Sequence, residues 1–417
     1  MGQQKRGPGR IPIRGKNPDP KRSGGVKITS RRRLFFLAFP CPVVGSTRDT
    51  VEMGGQHGAL HLDPVSSSSG FPGMTTPAKQ LQGMTLDGGW NVVGPVPRAT
   101  GGTGGTFSEG YIVESPQGNR AFLKALDYSR ALTAPDPAKA LHVLVEAYNF
   151  ERRILEKCRD RRLDRVVLAI TDGTVRVNGE PVQYLIMELA DGDARSQANT
   201  LRRFDLAWSL RALHHVATGL LQLHGQDIAH QDVKPSNVLA FDGGRVSKVG
   251  DVGRAAYRGH LPPHEPLDIA GDPAYAPPEL LYGHIDPDWN RRRLGCDAYL
   301  FGSMVVFFFL GLGTTALLRQ ELHSGHVWGT WQGTFPDVLP YVRDAFGRVV
   351  QTFMAGVEGS VREDLGIVVR ELCEPDPALR GHPRNRIGPG NPYSLERYVA
   401  KFDLLARRAE LGLLRAQ

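Results

Sequence analysis

The stretch of this chain that decides its fold is His230-Gln231-Asp232-Val233-Lys234-Pro235-Ser236-Asn237. Its polar residues have a fixed order, because Lys234 follows Asp232 by two residues and Asn237 follows it by five. Fourteen residues after Asn237 comes Asp251-Val252-Gly253, a second acidic segment at a glycine turn. A histidine beside an aspartate is common by chance, but this ordered pair of segments is not. The pair therefore predicts a single site built from both segments.

The residues between the two segments predict how they meet. Val238-Leu239-Ala240-Phe241 and Val246-Ser247-Lys248-Val249 are short runs typical of strands, and Asp242-Gly243-Gly244 between them favours a turn. The resulting hairpin would bring Asn237 and Asp251 close together at its open end.

The first segment resembles the catalytic loop of eukaryotic-type serine/threonine protein kinases, H-R-D-x-K-x-x-N, and the second resembles their D-F-G segment. The resemblance implies ATP- and Mg²⁺-dependent transfer of the γ-phosphoryl group to Ser or Thr hydroxyls of a protein substrate. It makes Asp232 the base for the hydroxyl and Lys234 the cation for the γ-phosphate. It makes Asn237 and Asp251 the residues that hold Mg²⁺.

A glycine-rich stretch at 101–105 is a candidate for phosphate binding, because it lies between two strand-like runs. Gly102, Gly104 and Gly105 would let backbone amides approach phosphate oxygens without a Cβ in the way. A flexible linker has the same composition. Phe107 stands where the family pattern G-x-G-x-x-G has its third glycine, and Gly110 could take that place after a longer turn.

Ala121-Phe122-Leu123-Lys124 resembles the family's V-A-I-K strand, whose lysine holds the α- and β-phosphates. Its glutamate partner belongs on a helix, and Asp136-Pro137 predicts where that helix begins. Glu146 and Glu151 are the two candidates. The sequence from Glu151 to Leu155 matches the family pattern E-x-x-I-L, which favours Glu151, although either could be a surface charge.

The strand-like run Tyr184 to Met187 leads into Glu188-Leu189-Ala190, which resembles the hinge that binds adenine through its backbone. The resemblance places Met187 at the back of the pocket, with Glu188 and Leu189 beside the nucleotide. Asp193 is a candidate for binding the ribose hydroxyls, and Asp191 is the alternative. Leucines at helical spacing over 206–221 predict a buried helix leading into the catalytic loop.

Later landmarks of the family follow in order over about residues 88–388. Gly271–Glu279 resembles the G-T-x-x-Y-x-A-P-E segment that receives the peptide, and Asp297 would cap the catalytic-loop backbone. Arg380 would pair with Glu279. The resemblance implies an α+β, bilobal fold, with a small β-rich N-lobe carrying one main helix and a larger helical C-lobe.

Composition predicts an appended tail. Residues 1–33 contain 11 Lys or Arg and one acid, a net charge of +10, whereas the whole chain carries +8 and residues 34–417 therefore −2. A Gly-, Pro- and Ser-rich stretch of this kind favours disorder, with a weak nucleic-acid or anionic-surface contact or no role at all. The predicted domains are a tail at 1–86, an N-lobe at 87–189, a C-lobe at 190–388 and a helical segment at 389–417. An early start, with Met84 as the true first residue, is the alternative for the tail.

Residues 298–318 contain no charged side chain, which satisfies a simple threshold for a transmembrane helix. A core helix is apolar all round in the same way, and the family places its central C-lobe helix here. We therefore expect no transmembrane span. Ser30-Arg31-Arg32-Arg33 resembles a twin-arginine export signal, but Pro40 and Pro42 break the apolar stretch that follows, which favours the cytoplasm.

The segment from Asp251 to Glu279 predicts how activity is controlled. It contains no Ser or Thr, and Gln231 replaces the arginine that receives a loop phosphate in many kinases, so we expect activity without activation-loop phosphorylation. Asp272 replaces the family's Thr. It would either pair with Lys234 or raise the pKa of Asp232 by repulsion.

Three functions agree with these residues. The first is an active serine/threonine protein kinase, which retention of every catalytic residue favours. The second is a nucleotide-binding pseudokinase that acts as a scaffold or switch. The third and least favoured is a small-molecule kinase, since Lys234 and Pro277-Pro278-Glu279 are features of the protein kinases.

Overall fold

An antiparallel sheet forms most of the N-lobe. The computed structural model describes residues 76–96, 107–200, 205–357 and 359–412. The sheet contains β1 (Asn91–Pro95), β2 (Ser108–Glu114), β3 (Arg120–Leu126), β4 (Ala169–Val177) and β5 (Glu180–Glu188), in the order β1-β2-β3-β5-β4. Tyr111, Leu123 and Ile186 lie opposite one another on three neighbouring strands and are buried, so alternate residues build one apolar face.

The main helix of the N-lobe begins where the sequence predicts. After a short helix α1 (Ser129–Leu132), helix α2 runs over Pro137–Asp160. The Asp136 side chain accepts a hydrogen bond from the Lys139 amide at 3.0 Å, and Pro137 at the first position has no amide hydrogen to leave unpaired. Tyr148 fixes the helix to the sheet, because its hydroxyl donates to the Tyr184 carbonyl at 3.0 Å.

A segment ahead of the sheet corrects the domain boundary predicted at residue 86. Ala78, Leu81 and Leu86 are buried with the apolar face of the sheet, and the Tyr111 hydroxyl donates to the Ala78 carbonyl at 2.7 Å. The 3₁₀ turns Pro77–Lys79 and Asp87–Gly89 shape this segment. The prediction of a tail to residue 86 was wrong here because three apolar residues without periodicity give no local signal. The predictions for residues 1–75 lie outside the described residues.

The C-lobe is mainly helical. Its first part contains β6 (Gly192–Asp193), α3 (Ala194–Thr200), α4 (Leu206–His224), β7 (Ile228–Ala229), β8 (Val238–Phe241), β9 (Val246–Val249), β10 (Ala256–Tyr257) and α5 (Pro278–Leu281). Its second part contains α6 (Gly295–Leu310), α7 (Thr314–Glu321), α8 (Phe335–Gly356), α9 (Arg362–Leu372), α10 (Pro383–Arg386) and α11 (Glu396–Glu410). The α+β, bilobal prediction is confirmed.

The predicted hairpin and the helix before it are both present. Strands β8 and β9 pair antiparallel from Val238–Val249 to Phe241–Val246, and β6 adds a third strand. Helix α4 is capped by the Asp205 side chain, which accepts from the Trp208 amide at 2.9 Å. The leucines of α4 form its buried stripe, with Leu206 and Leu221 partly buried at the edge.

Helix α6 passes through the centre of the C-lobe and continues from a π-helical turn at Asn290–Leu294. Within the described ranges, Asn290–Leu310 is the one helix long and apolar enough to cross a membrane, and 83% of its apolar window is buried inside the domain. Helices α8 and α9 pack against it. A Cβ at Gly302 would lie 2.6 Å from the Cys373 sulfur, so the approach to α9 requires glycine. The burial is that of the core helix expected from the sequence.

Helix α11 falls in the stretch predicted as a separate helical segment, but it is part of the C-lobe. Tyr398, Phe402 and Leu405 are buried in the same apolar core as α4. Arg211 of α4 also binds Asp403 at 2.9 Å and Glu410 at 2.8 Å. The predicted boundary at residue 388 therefore does not separate two packing units.

Candidate active site

Asp297 holds the backbone of the catalytic loop, as the sequence predicts. Its fully buried carboxylate accepts from the amides of His230 and Gln231, each at 2.7 Å, and contacts Nε2 of His224 at 2.9 Å. Burial alone would raise the pKa of Asp297, but these hydrogen-bonded partners outweigh burial and lower it. Gln231 has a φ of 66°, a left-handed conformation that the two hydrogen bonds to Asp297 stabilise. The strained turn brings Asp232 into the site.

Asp232 lies at the centre of a hydrogen-bond network. Its carboxylate accepts from Nδ2 of Asn237 at 3.0 Å and from the Asp272 amide at 2.8 Å. Burial raises its pKa above the ordinary value, while Lys234 and the Asp272 amide act in the opposite direction. A Cβ at Gly271 would collide with the Gln231 carbonyl oxygen, so glycine lets the two segments meet.

Lys234 lies between two carboxylates. Its ammonium is 3.1 Å from Asp232 and 3.4 Å from Asp272, and its side chain is 11% exposed. Burial alone would lower the pKa of Lys234, but the two carboxylates outweigh burial and raise it. Of the two predictions for Asp272, the pairing with Lys234 is the arrangement present. The pKa of Asp232 is raised first by burial and in part by Asp251, whereas the hydrogen bond from the Asp272 amide lowers it.

Lys124 on β3 is brought to Glu151 on α2, and not to Glu146. Its ammonium lies 2.8 and 2.9 Å from the two carboxylate oxygens of Glu151 and 3.6 Å from Asp251. Burial alone would lower the pKa of Lys124, but these carboxylates outweigh burial and raise it. The ammonium of Lys124 in turn lowers the pKa of Asp251. The pair thus ties the main N-lobe helix to the sheet and to the Asp251 turn.

Asn237 and Asp251 are suited to a metal ion. Nδ2 of Asn237 donates to the Asp232 carbonyl at 2.8 Å as well as to its carboxylate, which orients the side-chain amide. The Asn237 oxygen, which accepts from the Ser236 hydroxyl at 3.4 Å, would be the atom that binds the metal. The Asp251 side chain is 53% exposed and its carboxylate is kept anionic by Lys124. Over the described ranges, no group of three or more His, Cys, Asp or Glu residues could hold a metal. Mg²⁺ accepts such a site, because it keeps waters and takes phosphate oxygens as further ligands.

The predicted hinge joins the lobes through an ion pair that the sequence did not reveal. The Glu188 carboxylate binds the Lys248 ammonium at 2.6 Å and accepts from the Leu168 amide at 2.8 Å. The Glu188 amide in turn donates to the Leu168 carbonyl at 3.2 Å, so both the side chain and the amide of Glu188 have partners within the protein. Met187 is buried opposite Phe122 of β3, and Leu189 is half-buried at the cleft.

The two ribose candidates have other partners. The Asp193 carboxylate accepts from the Ser196 amide at 2.7 Å, and the Asp191 carboxylate accepts from the Gly243 amide at 2.8 Å. Both bonds fix local turns, so a role in binding ribose stays a prediction for either residue. Gly102, Gly104 and Gly105 lie outside the described residues.

The segment before α5 is anchored as the resemblance implied. Arg380 is fully buried and donates to both carboxylate oxygens of Glu279, at 2.6 and 2.8 Å. It also donates to the carbonyl oxygens of Gly295 and Glu374, at 3.0 and 2.9 Å. Glu279, at the end of the segment 271–279, is therefore held by a buried ion pair.

Comparison with known proteins names the family. The family model described as "Protein kinase domain" matches residues 105–321, which is just over half of the chain. The chain belongs to the protein kinase family. The match includes Lys124, Glu151 and the catalytic loop with Asp232.

Relatives of this kinase domain carry protein kinase names, and one of the three described below is named a serine/threonine-protein kinase. The chain is 30% identical over 170 residues to the Caenorhabditis briggsae protein "Aurora/IPL1-related protein kinase 2", covering 40% of the chain and 52% of that relative. It is 41% identical over 136 residues to the Oryza sativa subsp. japonica protein "CBL-interacting protein kinase 4", covering 31% and 28%. It is 29% identical over 218 residues to the Dictyostelium discoideum "Serine/threonine-protein kinase atg1", covering 51% and 29%. The chain thus spans about half or less of the length of these relatives.

Proposed function

We propose that this protein kinase domain is an active enzyme that transfers the γ-phosphoryl group of ATP to Ser or Thr hydroxyls of protein substrates. The observation that carries the proposal is that two ion pairs, Lys124 with Glu151 and Lys234 with Asp232, both act on the carboxylate of Asp251. A pseudokinase scaffold has no need of both pairs, and relatives named serine/threonine-protein kinases favour Ser/Thr over Tyr as the acceptor. ATP supply favours the cytoplasm as the place of action.

In the proposed mechanism each residue has one task. Lys124, held by Glu151, binds the α- and β-phosphates, and the hinge backbone binds adenine. Asp232 accepts the proton of the substrate hydroxyl as the oxygen attacks. Lys234 neutralises charge on the phosphoryl oxygens, and Asp272 keeps its ammonium in place at 3.4 Å. Asn237 and Asp251 would hold Mg²⁺, which would supply positive charge against the phosphates.

We also propose that the enzyme is active without phosphorylation of the segment 251–279. The hydroxyl of Tyr257 already binds the Lys157 ammonium at 2.6 Å, and its ring stacks on His260. Gln231 is buried and neutral where a receiving cation would be needed. Phosphatase-treated enzyme should therefore be as active as untreated enzyme, and activity restored only by rephosphorylation of Tyr257 or Tyr275 would contradict this.

The test of the activity compares Asp232→Asn with the wild-type protein. Labelled ATP and generic protein substrates, with and without Mg²⁺, give the transfer rate, and calorimetry gives ATP affinity. Asp232→Asn should bind ATP normally and lose transfer, because the carboxylate acts on the hydroxyl and not on ATP. Asp364→Asn, which removes an exposed carboxylate 2.8 Å from Lys401, is the control.

Two results would contradict the proposal. Transfer by Asp232→Asn at the wild-type rate would show that this carboxylate is not the base. ATP binding by the wild-type protein without transfer to any substrate would support a pseudokinase instead.

A further inference from the structure

A cluster of three charged side chains lies next to the catalytic loop and is not used in the mechanism above. Glu265, in the segment 251–279, binds Arg292 at 2.6 Å and also binds Arg293 through its other carboxylate oxygen. The two arginines lie in the π-helical turn that leads into α6. The Arg293 side chain is 7% exposed, whereas that of Glu265 is 28% exposed. One carboxylate thus fastens a loop to two cations at the start of a core helix.

The cluster reaches the catalytic base through one side chain. Nη1 of Arg293 donates to Oε1 of Gln231 at 3.3 Å, and Nε2 of Gln231 donates to the Arg293 carbonyl at 2.8 Å and to the Asp297 carboxylate at 3.2 Å. Gln231 immediately precedes Asp232. A continuous chain of hydrogen bonds therefore connects the Glu265 carboxylate to the backbone that positions the base.

The residue before Glu265 fastens the same segment to the N-lobe. His264 is buried with its ring edge against Phe150, the two centroids 6.1 Å apart, and Phe150 directly precedes Glu151. Burial lowers the pKa of His264 to about 4, so the ring is neutral at physiological pH. Two adjacent residues thus contact both halves of the active site.

Electrostatics make the Glu265 charge necessary. Burial lowers the pKa of Arg293, the neighbouring Arg292 lowers it further, and Glu265 opposes both. Two adjacent guanidinium groups repel each other, and a buried cation requires a compensating anion. A carboxylate built into the chain supplies that anion at all times, whereas a phosphate would supply it only after modification.

We propose that Glu265 is a positioning residue, a permanent carboxylate that holds the segment 251–279 and the catalytic loop in the transfer-competent arrangement through Arg292, Arg293 and Gln231. This inference rests on the proposed kinase activity. In this arrangement the Glu265 carboxylate takes the place of a loop phosphate.

The test compares Glu265→Gln with Asp403→Asn in the full chain. Asp403 is a matched control, because it is also 28% exposed and also binds two arginines, Arg211 and Arg407, each at 2.9 Å. Glu265→Gln should lower kcat by about 10- to 100-fold, the loss that a misplacement of about 1 Å causes, with the KM for ATP unchanged. Asp403→Asn should leave both constants unchanged. Glu265→Asp, which keeps the charge, should recover most of the lost rate.

Two further measurements keep the proposal falsifiable. The double variant Glu265→Gln/Arg293→Gln removes both the carboxylate and its buried partner Arg293. If this variant recovers the wild-type rate, Glu265 only neutralises the charge of Arg293, and the proposal is overturned. Hydrogen exchange of the amides of residues 228–237 does not depend on activity, and Glu265→Gln should speed it by about tenfold. Unchanged exchange in Glu265→Gln would overturn the proposal, whether or not the wild-type protein transfers phosphate. Absence of phosphate transfer by the wild-type protein would refute only the proposed function.

Discussion

Replacing Arg380 by leucine would measure how much the buried ion pair beneath the substrate segment contributes to stability. Arg380 is fully buried and Glu279 is 5% exposed. Leucine removes both donors to the Glu279 carboxylate, together with those to the carbonyl oxygens of Gly295, Glu374 and Pro375. The carboxylate would remain buried without this cation.

The expected cost follows from that geometry. Removal of one partner from a buried ion pair costs about 3–5 kcal/mol, mainly because a buried charge is left uncompensated. In a domain of this size each kcal/mol lowers Tm by about 2 °C, so Arg380→Leu should melt roughly 6–10 °C below wild type. The urea midpoint should fall with an unchanged m-value.

Two variants show whether burial is the cause. Arg370 binds Glu363 at 3.0 Å, but their side chains are 42% and 70% exposed, so Arg370→Leu should cost no more than about 1 kcal/mol. Arg380→Leu/Glu279→Leu removes both charges and should recover part of the stability that Arg380→Leu loses. If Arg380→Leu melts within about 2 °C of Arg370→Leu, the reasoning from burial is wrong.

Three more predictions follow from the site and the N-lobe. As the pH drops through the raised pKa of Asp232, kcat/KM should fall, because the base becomes protonated. Lys234→Met removes a cation that lowers this pKa, so the fall should begin at a higher pH; an unchanged pH profile would contradict the effect of Lys234 on Asp232. Leu81→Ala should cost about 2–5 kcal/mol in urea unfolding, because Leu81 is fully buried, and a cost under about 1 kcal/mol would contradict the packing of this segment. Asp297→Asn should weaken two 2.7 Å bonds to the catalytic-loop amides and lower kcat at least about tenfold with ATP affinity retained; an unchanged kcat would show that the loop holds its shape alone.

The catalytic centre could be predicted from the sequence because its parts are close together in the chain. Asp232, Lys234 and Asn237 lie within one short loop, and the β8–β9 hairpin brings Asp251 to them, so their spacing in the sequence was enough to predict the site. The start of α2 was predictable for the same reason, since capping involves neighbouring residues. The choice of Glu151 over Glu146 depended on a pattern within one helical turn.

The contacts that the sequence did not reveal join residues far apart in the chain. Lys248 and Glu188 are 60 residues apart, and Arg293 and Gln231 are 62 apart. The sequence does not show whether a glutamate is exposed or paired with a buried cation. Only the folded chain therefore distinguishes Glu265, which binds Arg292 and Arg293, from other glutamates. Leu81 was missed because a segment without helix or strand has no period from which to predict its buried side.

The burial of α6 has a consequence for synthesis of the chain. The helix ends at Leu310, but part of its packing surface comes from α9, which ends 62 residues later at Leu372. At roughly 5–20 residues per second the ribosome needs about 3–12 s to add those residues. During that time the nascent protein carries a stretch as apolar as a membrane segment, and the part of it that packs against α9 has no partner. Chaperone binding in this interval would decide how much of the newly made protein reaches the native state.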